Sequence, residues 1–170
     1  MMDVLVIGAT GLDVKGLVPG PLEAGTSTPG LIRSSPGGVA RNIAENLARL
    51  GLEVTLLSAV GDDWAGRYLL EQVREAGVDT QHVQIRPDVR TGTYLALMDR
   101  DLRLLAALDD MRAIEAITPR YLNDRRRLFR DTRLVVIDAN LSPAALRTVF
   151  RLAQTYARPV CADPTSAVLA

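Results

Sequence analysis

Histidine, cysteine and lysine each occur once in the 170 residues, as His82, Cys161 and Lys15, and aromatic side chains make up only 4%. One cysteine cannot form an internal disulfide, and with a single histidine it cannot assemble a Cys/His metal cluster. The 20 basic and 20 acidic residues cancel, so the basic excess expected of a surface for nucleic acid or anionic lipid is missing. No run of 18 apolar residues occurs, and the chain opens on Met1-Met2-Asp3 and a short apolar run, with no basic leader region or cleavage site. These absences predict a protein of the reducing cytoplasm with no nucleic-acid partner, no membrane association and no bound structural metal. What is present is ordinary: 48% hydrophobic and 24% charged residues, the composition of one globular domain or part of a larger one. A chain of this length buries roughly 70% of its unfolded surface without staples.

Hydrophobic patterning predicts alternating strands and helices. Val4-Leu5-Val6-Ile7, ended by Gly8, is a short β-branched run of the kind buried on both faces of a parallel sheet. Similar runs fall at 54–58, 134–137 and 159–162. Between Gly38 and Leu50, Val39, Ile43 and Leu47 recur every four residues with Ala40, Ala44 and Ala48 beside them, which predicts a helix stopped by Gly51. A second helix is expected from Trp64 to Ala76, entered through Asp62-Asp63 and closed by Gly77, and a third from Pro143 to Tyr156 with Ser142 as its cap. Such alternation implies an α/β fold with right-handed crossovers.

Two stretches break the rhythm. Residues 12–36 hold four prolines and four glycines, which excludes a long helix and predicts short extended segments joined by turns. Residues 91–109 predict a hairpin turning at Asp99-Arg100-Asp101, although the leucine-rich second arm equally suits a turn of helix. Together they suggest a small β subsheet beside the main one.

Three places carry candidate chemistry. Gly8-Ala9-Thr10-Gly11 follows a strand like a dinucleotide-binding turn, but the third glycine position is Val14 and prolines break what should be a helix. Asp13 stands just past the first strand, where open α/β sheets bind ligands and a carboxylate can accept two hydrogen bonds from the hydroxyls of a polyol; a turn-forming aspartate is the plainer alternative. Gly37-Gly38 opens a helix with Asn42 one turn inside, which lets a neutral polar ligand approach the backbone and meet an amide donor and acceptor. Alone, that segment equally suits a glycine-rich turn before an ordinary helix. The remaining features are plain: Cys161 as a strand-core residue, Trp64 and Tyr68 as packing residues, His82 as a connecting residue, and the arginines around 125–127, interleaved with acids, as a solvated helix face.

Gly37-Gly38 with Asn42 and Gly51, Asp13 before them and Gly61-Asp62-Asp63-Trp64-Ala65-Gly66 after them, resemble the N-terminal signature of the ribokinase-like (PfkB) carbohydrate kinase family. Within it, Gly-Gly-Val-Ala-Arg-Asn, Thr91-Gly92-Thr93-Tyr94, Thr118-Pro119-Arg120-Tyr121-Leu122 and Asp138-Ala139-Asn140-Leu141-Ser142 are most similar to pseudouridine kinases. The resemblance implies a three-layer α/β/α, Rossmann-like parallel sheet with a small β lid formed by residues 12–36 and 91–109. Residues 1–170 would be the N-terminal portion of the kinase domain, with the C-terminal part of the fold missing. It implies a sugar or nucleoside acceptor held by Asp13, Gly37, Gly38, Asn42 and Asn140, with Asp163 on the phosphate and magnesium side. ATP and Mg2+ would serve the intact enzyme, which would move the γ-phosphoryl to a ribose hydroxyl, and the lid would pair two copies. The family's second signature, a Gly-Ala-Gly-Asp turn carrying the anion hole and catalytic base, does not occur among these residues. The chain alone is therefore expected to hold no catalytic residue and to be inactive, because phosphoryl transfer depends on groups placed around the moving phosphate. The rival expectations are a non-catalytic sugar-binding or interaction module and, further off, a dinucleotide-dependent oxidoreductase.

Overall fold

A computed structural model describes residues 2–23 and 25–165. Its strands are β1 (Met2–Ile7), β2 (Gly11–Leu17), β3 (Leu31–Gly37), β4 (Val54–Leu57), β5 (Ala59–Gly61), β6 (Gln84–Arg86), β7 (Gly92–Met98), β8 (Leu104–Asp110), β9 (Thr132–Asp138) and β10 (Val160–Asp163). The helices are α1 (Val39–Arg49), α2 (Trp64–Glu75), α3 (Pro119–Asp124), α4 (Arg126–Asp131) and α5 (Pro143–Thr155), with a 3-10 turn at Arg112–Ala116.

The main sheet is parallel throughout, in the order β10-β9-β1-β4. Its centre, β1, is apolar on both faces because each faces a separate core. Leu5 and Ile7 pack with Tyr121, Leu122, Phe129, Val149 and Leu152 from α3, α4 and α5. Val4 and Val6 pack with Ala40, Ala44 and Val73 from α1 and α2. The chain passes from β1 through α1 to β4 on one side, and from β9 through α5 to β10 on the other. The reversal falls between β1 and β9, and doubly wound sheets bind ligands beyond the carboxyl ends of the strands at such a point.

The two irregular stretches build one second sheet, ordered β3-β2-β7-β8, in which β2 and β7 run parallel while β2–β3 and β7–β8 are antiparallel. The open choice for the second hairpin arm is settled as strand: β8 pairs with β7 from Thr93–Asp110 to Met98–Leu104.

The Gly61-Asp-Asp-x-x-Gly66 segment fastens this sheet to the body. The Asp63 carboxylate caps α2 through the Gly66 N–H (2.9 Å) and accepts from the Thr91 N–H (3.0 Å) and hydroxyl (2.6 Å), just before β7. A Cβ on Gly61 would press on the backbone of Val89 and Thr91 at 2.6 Å. Burial works against the Asp63 charge, but the hydrogen bonds from Thr91 and Gly66 outweigh it and hold the carboxyl below its ordinary value.

Several expectations need correcting. Cys161 is exposed rather than in a strand core, because β10 lies at the edge of the sheet among the described residues. Trp64 is 62% exposed and leans on Tyr68 at a centroid distance of 6.4 Å, so the pair rides on the surface. Arg126 and Arg127 are solvated as expected, whereas Arg125 lies over the Tyr121 ring, 3.8 Å from its centre.

Candidate functional site

The loop after β1 runs through Gly8–Thr10 directly into strand β2, so no helix begins there and the pyrophosphate cradle of a dinucleotide site is not built. Beneath this loop lies Asp138, the last residue of β9 and 0% exposed. One of its oxygens accepts the N–H groups of Ala9 (2.8 Å) and Ala40 (3.0 Å), and the other accepts the N–H of Asn140 (2.9 Å). Asp138 therefore ties together the β1 loop, the first turn of α1 and the loop after β9. Helix α1 has no side-chain cap of its own at Gly38; a carboxylate 98 residues away satisfies one of its orphan donors. Burial pushes the Asp138 carboxyl up, against the pull of those N–H donors. Sequence reasoning placed Asp138 in a motif but gave it no task, because its partners are backbone groups that no side-chain pattern reveals.

Asp13 sits on β2 in register with Ser35 of β3 and Tyr94 of β7. Its carboxylate leans over Gly37, where any Cβ would collide with it. Gly38 has φ +90° and lies so close to the β1 loop that a Cβ would fall 2.6 Å from the Thr10 Cα and 2.8 Å from the Gly11 N. Both glycines are thus required by close approach, and Gly38 also by its backbone conformation. Burial raises the Asp13 carboxyl above its ordinary value, while Lys15 and Arg41 act in the opposite direction.

Asn42 lies exposed on the first turn of α1, with its N–H bonded to the Gly38 carbonyl (2.9 Å). Its side-chain oxygen accepts from the Arg41 guanidinium at 2.9 Å, which leaves the NH2 as the part free to meet a ligand. Arg41 is 4% exposed and pairs with Glu45 through its far nitrogen, while its Nε has no partner among the described residues. This buried guanidinium was invisible in the sequence, because Arg41 falls outside the Val39, Ile43 and Leu47 spacing that marks the apolar side of the helix.

Asn140 reaches the same end of the sheet, and with Ser142 it lines a cleft of about 610 Å³ whose other wall includes Asp109 and Met111 from the end of the lid. Asp163 ends β10 opposite Asp138 in register, and its carboxylate closes its own turn by accepting the Thr165 N–H (2.7 Å). Among the described residues no three His, Cys, Asp or Glu side chains converge to hold a metal.

A three-layer sheet with a β lid, and a carboxylate facing a diglycine helix start at the switch point, define a ribokinase-like fold. The chain belongs to the pfkB family of carbohydrate kinases, whose profile matches residues 1–169. It is 41% identical over 162 residues to an uncharacterised sugar kinase, YeiI, of Escherichia coli, covering 95% of this chain and 44% of that protein. It is 40% identical over 164 residues to the pseudouridine kinase of the same organism, covering 96% and 52%. A solved carbohydrate kinase from Agrobacterium tumefaciens superposes with a TM-score of 0.86 at 33% identity, covering 99% of this chain and 56% of that one. The chain thus spans about half the length of the relatives it matches.

Proposed function

We propose that residues 1–170 are the N-terminal, acceptor-binding portion of a sugar or nucleoside kinase, with pseudouridine the leading acceptor and the ribosyl diol as the group held. One observation carries the reading: the Asp13 carboxylate lies directly over Gly37, at the start of the helix that presents Asn42. A carboxylate accepts hydrogen bonds from two neighbouring hydroxyls, the amide NH2 of Asn42 donates to their oxygens, and the bare glycine backbone leaves room for a ring. Asn140 is assigned to the opposite wall. Pseudouridine is favoured by the 40% identity to an enzyme of that name.

In the intact enzyme ATP and Mg2+ would supply the phosphoryl group and its charge neutralisation, with Asp163 on that side. The residues here bind and orient the acceptor. The β2-β3-β7-β8 sheet acts as the lid that excludes water from the transfer. Its outer face exposes Ile32, Leu95 and Leu108, and the covering assigned to it is the same face of a second copy. A cytoplasmic setting fits these roles.

The test is a thermal-shift and calorimetric panel of pentoses, hexoses, nucleosides and NAD on the 170-residue chain. A ligand at a hundred times its dissociation constant adds about 2.7 kcal/mol of stability. Ribosides are expected to stabilise the protein, and ATP is expected not to be turned over by this chain. Saturable NAD binding with no response to ribosides would overturn the assignment.

A further inference from the structure

Arg41 occupies the first turn of α1, after the cap at Gly38, where a cation gains little. The positive end of the helix dipole disfavours it, no acidic residue stands in that turn, and the side chain is almost wholly buried. Its Nε has no hydrogen-bond partner among the described residues. Burial lowers the guanidinium from its ordinary value, against the pull of Glu45. An apolar side chain of similar size would fill the same place at lower cost. A residue that goes against local preference in this way marks a position kept for the site beside it.

The contact Arg41 makes is with the next residue. Successive residues of a helix point about 100° apart and do not ordinarily face one another. The guanidinium nonetheless reaches the Asn42 side-chain oxygen at 2.9 Å through one terminal nitrogen, while the other pairs with Glu45. Glu45 is held in turn by Arg49 at 2.6 Å. Main-chain bonds fix the base of this arrangement: the Arg41 N–H donates to the Ala9 carbonyl (3.2 Å) and the Asn42 N–H to the Gly38 carbonyl (2.9 Å). An exposed amide left to itself turns over and presents its oxygen and its NH2 in turn. Here the oxygen is engaged, so the end left to a ligand is the donor.

We propose that the Arg41–Glu45 pair is a positioning device that holds the Asn42 amide with its NH2 toward the acceptor. The inference rests on the acceptor reading above and deepens it. The ionised Asp13 carboxylate only accepts, and the held amide only donates. A vicinal diol answers both, since its hydroxyls donate to the carboxylate and accept from the NH2. Because the amide is set before the ligand arrives, binding does not have to order it, a difference of about two- to tenfold in affinity. The device needs two nitrogens of a planar fork, one for Glu45 and one for Asn42, so lysine with its single nitrogen cannot replace the arginine.

NMR relaxation and calorimetry on the 170-residue chain test this, with pseudouridine and ribose as probes. Arg41→Lys, which keeps a cation for Glu45, and Arg41→Met, which does not, are each made with Asn42 present and with Asn42→Ala; thermal melting checks that every variant is folded. In the free wild type the Asn42 side-chain NH2 is expected to be as ordered as backbone, with an order parameter of about 0.85, and to fall below about 0.6 in Arg41→Lys. Asn42→Ala should weaken both probes by about tenfold. With Asn42 present, each Arg41 variant should weaken them by about threefold or more. With Asn42→Ala, the same variants should shift affinity by less than about twofold, because Arg41 then has nothing to position, whereas a residue that only supports the helix would cost the same in both backgrounds. A mobile Asn42 NH2 in the wild type, wild-type affinity in Arg41→Lys, or equal losses in the two backgrounds overturns the positioning role while leaving the acceptor reading standing. Failure of both probes to bind the wild type overturns the acceptor reading and the positioning role with it.

Discussion

Removing the Asp138 carboxylate should loosen the floor of the site by an amount the hydrogen bonds set. Asp138→Ala leaves the buried N–H groups of Ala9 and Ala40 and the partly buried N–H of Asn140 without their acceptor. Each unpaired buried donor costs about 1–3 kcal/mol. Relief of the buried charge and entry of water offset part of the sum, so the low end applies and the loss should be about 3 kcal/mol. For a protein of this size that lowers the melting temperature by roughly 6–12 °C, at about 2–4 °C per kcal/mol. Asp138→Asn keeps the shape and one accepting oxygen. That oxygen can serve Ala9 and Ala40, while the new NH2 opposes the N–H of Asn140, for a loss of about 1–2 kcal/mol. Urea or thermal unfolding should therefore rank wild type above Asn above Ala. Amide exchange should show Ala9 and Ala40 losing protection in Ala but keeping it in Asn. An Ala variant within ~0.5 kcal/mol of wild type, the usual range for an inert surface change, would refute the bridging role.

The remaining predictions concern the site and its hinge. Asp13→Asn should weaken ribosyl-ligand binding by about a hundredfold, as two charge-assisted hydrogen bonds are lost or weakened, with the melting temperature held or raised because a partly buried charge is gone; calorimetry and a melt read both. Gly38→Ala should cost about 2 kcal/mol or more in urea unfolding, since φ +90° and the nearby β1 loop both resist a Cβ. The Asp63 carboxyl is lowered in the folded protein, so its contribution is complete above the unfolded value near ~3.9 and lost as pH falls through the lower folded value. Thr91→Val should flatten that acid-side loss in melts taken from pH 6 downward. Trp64→Ala, at an exposed position, should change stability by no more than ~0.5 kcal/mol.

The parallel strands and the helices α1, α2 and α5 were legible because their signals are local: β-branched runs, four-residue spacing, Gly51 and Gly77 as stops, Ser142 and Asp63 as caps. Cys161 and Trp64 were misjudged because a pattern gives residue type and period, while exposure depends on which strand becomes an edge and which helix face meets a neighbour. Asp13, Gly37 and Gly38 were singled out by their spacing and the family signature they resemble, and the fold sets the Asp13 carboxylate against Gly37. Asp138 and Arg41 were missed for a shared reason: their work is done through backbone donors, or through a burial that appears only once α1 is docked.

The most direct test is a structure of the 170-residue chain with a bound riboside. The sugar's vicinal hydroxyls are predicted to rest on the Asp13 carboxylate, above the Gly37-Gly38 backbone and within reach of the Asn42 NH2. A riboside bound elsewhere, with that carboxylate left to solvent, would contradict the account.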